Sequence, residues 1–436
     1  MNLLSIYFWP FIFISLIPYY FFASKKQNIF LLFLSFIFLG ITSLENLFVF
    51  LSVGITSYFL AFKLEHIKYK RSLLLIYCLF ITTLVLIKRE NFLQILGISY
   101  IGLTTIGYLL EIFWKRIKIV KNFSQYLLTI LFYPLTSMGP ILRVHHFQEQ
   151  LKVFRKYDST KITEGICRIS LGFLKITTIA NKLNLIITHQ YPMTSELYGI
   201  NLLAYCFFSY FMLYCEFSGY IDIAIGTAKL YGIKLPENFR TPYFSKSISE
   251  IWQRWHISLT SWLKDYVAFP LMLKYKSFIL STYVTILGVA LWHGLKIHFL
   301  YWAIYWIFFY SLYVAYMKMG FAIKVKNNHL LSLTKIPITF LITILSTLTF
   351  LLEQMSFLDV LRNLFTNASW NLHDLTNKKY YYFIEIFICL FFIILLEKIT
   401  TKKRATYLTI LMIGFIYFLI TSFGLFEAKE LMYLNL

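Results

Sequence analysis

Two histidines lie where this chain can least easily hold a polar group. His256 falls within Ser247-Ile-Ser-Glu-Ile-Trp-Gln-Arg-Trp-His-Ile-Ser-Leu-Thr-Ser-Trp-Leu-Lys-Asp-Tyr266, and His293 falls within Leu291-Trp-His-Gly294. An imidazole changes charge near neutral pH and can act as a general base, a role worth about 10²–10⁴ in rate. One such base is enough to take the proton from a hydroxyl as it attacks a thioester carbonyl. A second polar group is then needed to orient the reactants or to stabilise the oxyanion. A lone histidine in an apolar helix is more often a hydrogen-bonded core residue than a catalyst. A second histidine, a motif dense in tryptophan and a polar loop between the two shift the balance towards chemistry. No Gly-x-Ser-x-Gly elbow appears, which disfavours a serine-nucleophile hydrolase. Cys78, Cys167, Cys206, Cys215 and Cys389 are scattered through apolar runs without metal-ligand spacing, so they read as buried structural residues and no metal is expected.

The elements that must position the two rings can also be read. Ser247 followed by Glu250 is a capping box and predicts a helix start. Continued through Tyr266, that helix carries Trp252, Trp255, His256, Leu259, Trp262 and Leu263 on one apolar face. Arg254, Ser258, Ser261 and Asp265 fall on its polar face. His293 lies near the end of an apolar run, Ser277–Leu295, that contains no charged residue.

The composition sets the environment. Of 436 residues, 59% are hydrophobic, 20% aromatic and only 14% charged, with a mean hydropathy of +0.67. A soluble domain averages roughly 25% charged residues, so this is a polytopic all-α membrane protein. The net charge of +21 comes from basic clusters between apolar runs. These fit topology signals and headgroup contacts rather than nucleic acid. Runs near the roughly 20 residues that span a bilayer are Leu3–Ala23, Asn28–Leu44, Leu47–Phe62, Ser72–Ile87, Leu93–Leu110, Gly165–Ile187, Gly199–Tyr214 with its continuation, Ser277–Leu295, Phe299–Tyr316, Ile336–Leu352, Tyr380–Leu396 and Tyr407–Phe423. They predict about 11–13 helices, re-entrant segments included, in one membrane domain, residues 1–436. Leu3–Ala23 has no basic segment before it and reads as a first span rather than a signal peptide. Lys25-Lys26, Lys63–Arg71 and Lys115–Lys121 mark alternate cytoplasmic loops and place the N-terminus outside, with Lys88-Arg89 as an exception. The basic stretch Arg143–Lys161 keeps to this pattern if Phe123–Met138 turns back near Gly139-Pro140. Between Tyr214 and Asp265 the pattern changes: Glu216 and Asp222 interrupt an apolar run. Such carboxylates are functional candidates; pairing with Arg or Lys to fix helix packing is the equal alternative. Gly54, Gly97, Gly102 and Gly107 fit helix packing.

Tyr214-Cys-Glu-Phe-Ser-Gly-Tyr-Ile-Asp-Ile-Ala-Ile-Gly226, Leu235-Pro-Glu-Asn-Phe239, the His256 motif and Leu291-Trp-His-Gly294 follow in the order found in the membrane-bound O-acyltransferase family. Gly97-Ile-Ser-Tyr100 and Met138-Gly-Pro-Ile-Leu-Arg143 also fit, so the match runs from about residue 90 to residue 310. The chain resembles the bacterial branch of alginate O-acetylases, peptidoglycan O-acetyltransferases and teichoic acid D-alanyltransferases. The resemblance implies a ring of tilted helices around a central tunnel. His293 would be the general base, and His256, where eukaryotic relatives carry asparagine, would position donor or acceptor. Arg254, Trp255, Ser258, Trp262, Asp265, Trp292, Glu216, Asp222, Asn238 and Arg143 would line the substrate path. Three departures weaken any assignment to alginate. Glu216 replaces the usual aspartate, Leu271-Met-Leu-Lys-Tyr-Lys276 stands where a Gly-Gly-Asn loop is common, and Leu352-Glu-Gln-Met355 replaces an aromatic and arginine pattern.

The expected function is therefore O-acylation, foremost O-acetylation, of a cell-envelope polysaccharide or peptidoglycan at the bacterial inner membrane. No bound cofactor is expected. The donor would be acetyl-CoA or another acyl thioester, carried by CoA or an acyl carrier protein. Membrane lipids and an extracytoplasmic acyl-transfer protein are the other expected partners. D-alanyl transfer or acylation of a lipid or protein hydroxyl is the alternative within the class. A transporter with a histidine-containing pathway is the alternative outside it, and would show inverted repeats, which the sequence lacks.

Overall fold

Apolar runs of this length can hide their backbone amides from lipid only by coiling, and they do so here. The computed structural model describes residues 3–5, 7–66, 70–89, 97–190, 198–319 and 333–351, with 358, 362–363, 387, 390–391 and 393–397. Among the described residues there is no strand. In chain order the helices are α1 Phe8–Phe21, α2 Ser24–Thr42, α3 Leu44–His66, α4 Lys70–Arg89, α5 Ile98–Phe113, α6 Phe123–Leu131, α7 Val144–Leu151, α8 Ser159–Leu174, α9 Asn181–Gln190, α10 Gly199–Leu230, α11 Ile248–Arg254, α12 Ile257–Leu263, α13 Phe269–Tyr275, α14 Phe278–His293, α15 Ile297–Lys318 and α16 Lys335–Leu351. Within α2, α3, α10 and α15 lie stretches long and apolar enough to cross a membrane, and α1, α5, α6, α14 and α16 are shorter apolar helices. The protein is an all-α, multi-pass membrane protein.

Side chains follow the same solvent. Phe21, Ile29, Phe48, Phe59, Leu75 and Leu79 are exposed on their helices, as lipid-facing residues should be. Buried and half-buried hydroxyls turn back on their own helix: Ser35 Oγ donates to Leu31 O at 2.8 Å, Thr42 Oγ1 to Phe38 O at 2.7 Å and Ser57 Oγ to Val53 O at 2.6 Å. Helix α6 has nine residues, about 13 Å at 1.5 Å per residue, well short of the hydrocarbon core. A short helical turn, Tyr133–Leu135, and an irregular stretch through Gly139-Pro140 follow it before α7 begins. The span expected at Tyr407–Phe423, most of Tyr380–Leu396 and the Leu352-Glu-Gln-Met355 departure lie outside the described residues.

The chain divides into two compact units, one drawn from Met1–Phe173 and Gly219–Glu237, the other from Leu174–Ser218 and Asn238–Lys402. In the first, α2, α3, α5 and α6 close on a core that includes Phe50, Val53, Tyr108, Tyr126 and Leu131. Gly97 precedes α5 at φ 76°, and a β-carbon there would run into Thr136 O. Antiparallel stretches of α8 and α10 meet glycine on glycine, Gly165 against Gly226 and Gly172 against Gly219. Between these two contacts Arg168 Nε pairs with the buried Asp222 at 2.6 Å, and its Nη2 reaches Glu237 at 2.8 Å. Asp222, expected either on a substrate path or in an ion pair that fixes helix packing, is thus ion-paired. In the second unit α14, α15 and α16 pack in sequence, and α11 packs on α15.

The glycine crossing generates a test with its own control. A β-carbon on Gly226 would lie 2.7 Å from Gly165 O, whereas one on Gly288 in α14 meets nothing within 4 Å. Gly226→Ala should lower the melting temperature of the purified protein, at a cost of about 1–3 kcal/mol for an overpacked contact. Gly288→Ala should leave it unchanged or raise it, since alanine is worth about 0.5–1 kcal/mol over glycine inside a helix. Equal melting temperatures for both variants would show that the crossing has slack.

Candidate active site

The capping box does start a helix: Ser247 Oγ accepts from Glu250 N at 3.2 Å, and Glu250 Oε2 accepts from Lys246 N at 2.7 Å. The single helix expected through Tyr266 does not form. It stops at Arg254, Trp255 turns extended at φ −107° and ψ 128°, and His256 adopts φ 46° and ψ 52° before α12 begins. The even apolar face counted through Trp255 and His256 is therefore broken. The cause lies outside the segment, in Asn238. Its main-chain oxygen accepts from Ile257 N at 2.9 Å, and its Oδ1 accepts from Ser258 N at 2.8 Å. Arg240 N–H donates to Arg254 O at 3.0 Å, so the loop and the break are laced together. Two amides at the start of α12 find acceptors in the loop, which local helix periodicity could not reveal.

The same side chain sets the state of the imidazole. His256 Nδ1 lies 3.3 Å from Asn238 Oδ1. That oxygen already accepts from Ser258 N–H, so Nδ1 is the donor and Nε2 is the basic nitrogen. His256 is 4% exposed; burial lowers its pKa to about 3 and keeps the ring neutral. Phe217 and Trp292 meet it edge-on at ring centroid distances of 4.8 and 5.9 Å.

His293 is the last residue of α14. Gly294 ends the helix at φ 155° and ψ 174°, backbone open only to glycine, with its N–H on Ala290 O at 3.0 Å. The His293 ring lies 4.7 Å from Trp292, 4.8 Å from Phe350 and 5.7 Å from Phe299. Trp292 thus contacts both imidazoles. His256 and His293 together line a cavity of about 90 Å³, with Tyr210, Trp252, Trp255, Trp302, Trp306, Thr343, Ser346, Thr347 and Phe350 among its other walls. Every one of these residues belongs to the second unit.

The remaining candidates take varied places. Asn238 and Ser258 are buried and hold the break. Trp262 is buried with its ring 4.9 Å from Tyr266. Arg254 Nη2 pairs with Glu250 at 2.6 Å and its Nη1 reaches Arg240 O at 3.2 Å, an arrangement that stiffens α11. Asp265 is exposed on the π-turn Lys264–Ala268. Glu216 is fully buried on α10 in the second unit, whereas Asp222 and Arg143, the latter at the start of α7, belong to the first. Among the described residues no three His, Cys, Asp or Glu side chains gather as a metal site.

Sequence reasoning missed a buried polar cluster of the second unit. Lys175, in the π-turn Lys175–Ala180, pairs with Glu397 at 2.5 Å. Tyr214 and Tyr243 each donate to Glu397 at 2.6 Å. A lysine inside the apolar run Gly165–Ile187 was the available signal. The cavity residues Tyr210 and Trp306 gave none.

The left-handed backbone at His256 makes a prediction. Asparagine tolerates that conformation and β-branched residues do not. His256→Asn should keep the melting temperature near that of the wild type, while His256→Val should lower it by several degrees. Equal loss in both would show that the ring, not the backbone, holds the break.

A model of the membrane-bound O-acyltransferase family matches residues 31–352. A Pseudomonas fluorescens protein named probable alginate O-acetylase AlgI is 30% identical over 304 residues, 65% of this chain and 60% of that protein. The teichoic acid D-alanyltransferase of Bacillus subtilis is 28% identical over 264 residues, 58% of this chain and 67% of the relative. The peptidoglycan O-acetyltransferase of Helicobacter pylori is 32% identical over 198 residues, 42% and 36% of the two chains. The chain spans less than two thirds of the length of the alginate-type relatives it matches. With the family match covering most of its length and both histidine motifs inside the matched region, the chain belongs to the membrane-bound O-acyltransferase family.

Proposed function

We propose that this protein is an O-acyltransferase of the bacterial cytoplasmic membrane, with its N-terminus outside, that moves a short acyl group from a cytoplasmic thioester to a hydroxyl of an envelope polysaccharide or peptidoglycan. The observation that carries the reading is the pair of imidazoles lining one aromatic cavity. Acetyl is favoured over D-alanyl because, among the described residues, no carboxylate lines the cavity to receive an ammonium group. The donor is carried by CoA or an acyl carrier protein, and an extracytoplasmic protein completes delivery to the polymer.

In this reading His293 is the general base. It takes the proton of the acceptor hydroxyl as that oxygen bonds to the acyl carbon. The carbon–sulfur bond then breaks, and the departing thiolate receives the proton. His256 is the positioning residue, neutral and oriented by Asn238. Trp292, in ring contact with both imidazoles, fixes their spacing. Arg254, Trp255, Ser258, Trp262, Asp265 and Glu216 are assigned to shaping the substrate path.

The test is base-labile ester release from isolated cell envelopes, compared between wild type and His293→Ala at matched membrane levels. Loss of one acyl species, by the ~10²–10⁴ that a general base supplies, supports the assignment and identifies the group. Fractionating the polymers then names the acceptor. Unchanged ester content with the protein present would remove His293 from catalysis and bring back a transport role.

A further inference from the structure

The first unit carries a further cavity, of about 750 Å³, walled by the loop that joins α7 to α8 and by Gly232. The loop is pinned on both sides. Gln27 of α2 donates to Arg155 O at 2.9 Å and accepts from Arg155 N at 3.2 Å, and Asn28 Nδ2 donates to Leu151 O at 2.8 Å. Gln150 exchanges two hydrogen bonds with the main chain of Lys234, at 2.8 and 3.0 Å. Gly232, at φ 73°, lies so close that a β-carbon there would sit 3.2 Å from Arg155 Cβ. These bonds hold the wall in place before any ligand arrives.

The charge of that wall is one-sided. Among the described residues Arg155, Lys156 and Lys161 line the cavity against a single carboxylate, Asp158. Asp158 is already engaged: its Oδ1 accepts from Thr160 N at 3.0 Å and Lys161 N at 3.4 Å, and its Oδ2 lies 3.7 Å from Lys161 Nζ. Lys156 is exposed and has no ion-pair partner among the described residues. Arg155 is 6% exposed, and the acceptors of its guanidinium are uncharged: Tyr19 Oη at 2.5 Å, Asn28 Oδ1 at 2.5 Å and Gln150 O at 3.2 Å. Such dipoles solvate a buried cation without cancelling it, so an anion nearby is favoured. The surroundings point to what carries that anion. Val153, Phe154 and Tyr157, on the same wall, are 61%, 44% and 65% exposed. Tyr157 meets Tyr20 of α1 edge-on at 5.5 Å, and Phe21 beside it is lipid-facing and 86% exposed. The exposed Lys25 and Lys26 follow at the same end. Basic helix ends face the anionic cytoplasmic leaflet, and aromatic rings settle at headgroup level. A free phosphate ion would leave the three apolar side chains in water; a lipid covers them.

We propose that this cavity binds the phosphate of an anionic phospholipid, with Lys156 and Lys161 on the phosphate, the buried Arg155 adding to the positive field, and the apolar part of the lipid over Phe154, Tyr157 and Phe21. The site does not depend on the acyl-transfer reading, and it ties the α7–α8 loop to the bilayer surface.

The test follows the melting temperature of the full-length protein in a neutral detergent, which a ligand of the folded state raises with its concentration. Dihexanoyl phosphatidylglycerol should raise it to a plateau, while dihexanoyl phosphatidylcholine and inorganic phosphate at equal concentrations should not. The double variant Lys156→Gln, Lys161→Gln should melt like wild type without lipid, because both side chains are exposed. It should need at least about tenfold more phosphatidylglycerol for the same response, since each lysine at an anionic headgroup is worth severalfold in affinity. Lys156→Gln alone, which breaks no ion pair, should show a smaller loss in the same direction. The double variant Lys25→Gln, Lys26→Gln removes as much charge at the same end but outside the cavity, and should respond like wild type. Equal losses in the two double variants would overturn the inference in favour of diffuse charge. An equal response to phosphatidylcholine would overturn it in favour of apolar contact alone, and a full response to inorganic phosphate in favour of a free ion. A rise with polyglutamate but none with phosphatidylglycerol would overturn it too, assigning the patch to an acidic protein.

Discussion

A helix can be interrupted in apolar surroundings only if something else takes over its orphaned amides, and Asn238 is that replacement. One side chain and one carbonyl accept from Ile257 N–H and Ser258 N–H, and the same side chain orients the His256 ring. Without those acceptors the segment from Ser247 would gain by continuing as one helix. His256 would then sit on a helix side rather than at a break, and the wall formed by Trp252, Trp255 and His256 would be spread along an axis instead of folded towards one space. Backbone hydrogen bonding and site geometry are here the same constraint.

Two of the carboxylates are held by cations. In the first unit Arg168 holds Asp222 between the Gly165–Gly226 and Gly172–Gly219 contacts. In the second, Lys175 and two tyrosines hold Glu397. Each carboxylate is matched by a cation, and Glu397 by two further donors. A buried pair of this kind adds little net stability, yet removing one partner alone is costly. These clusters therefore read as specificity for one helix arrangement rather than as a stability reserve.

How much of this was legible in the sequence follows from the range of each interaction. The membrane class, the helices and the capping box at Ser247 depend on composition and on neighbours a few residues apart, and they could be read. The break at His256 could not, because its cause sits at Asn238, 18 residues away, and the local apolar spacing argued for continuity. Asp222 stood out as an intramembrane carboxylate, but only the structure brings Arg168 to it from another helix. His256, His293 and Trp292 carry a motif, and the structure brings their rings into contact. Tyr210 and Trp306 sit in apolar helices among 33 tyrosines and 9 tryptophans, and nothing local marks them.

The aromatic lining also explains how two imidazoles are held in so apolar a place. Rings meet His256 and His293 edge-on or stacked at 4.7–6.1 Å, so the histidines are held without a charged neighbour in those contacts. For His256 the consequence is a neutral ring whose proton sits on Nδ1. A carboxylate in the place of Asn238 would orient the ring equally well but would favour the imidazolium form. The amide fixes orientation while leaving the ring uncharged, and an uncharged imidazole is the form that can accept a hydrogen bond from a hydroxyl.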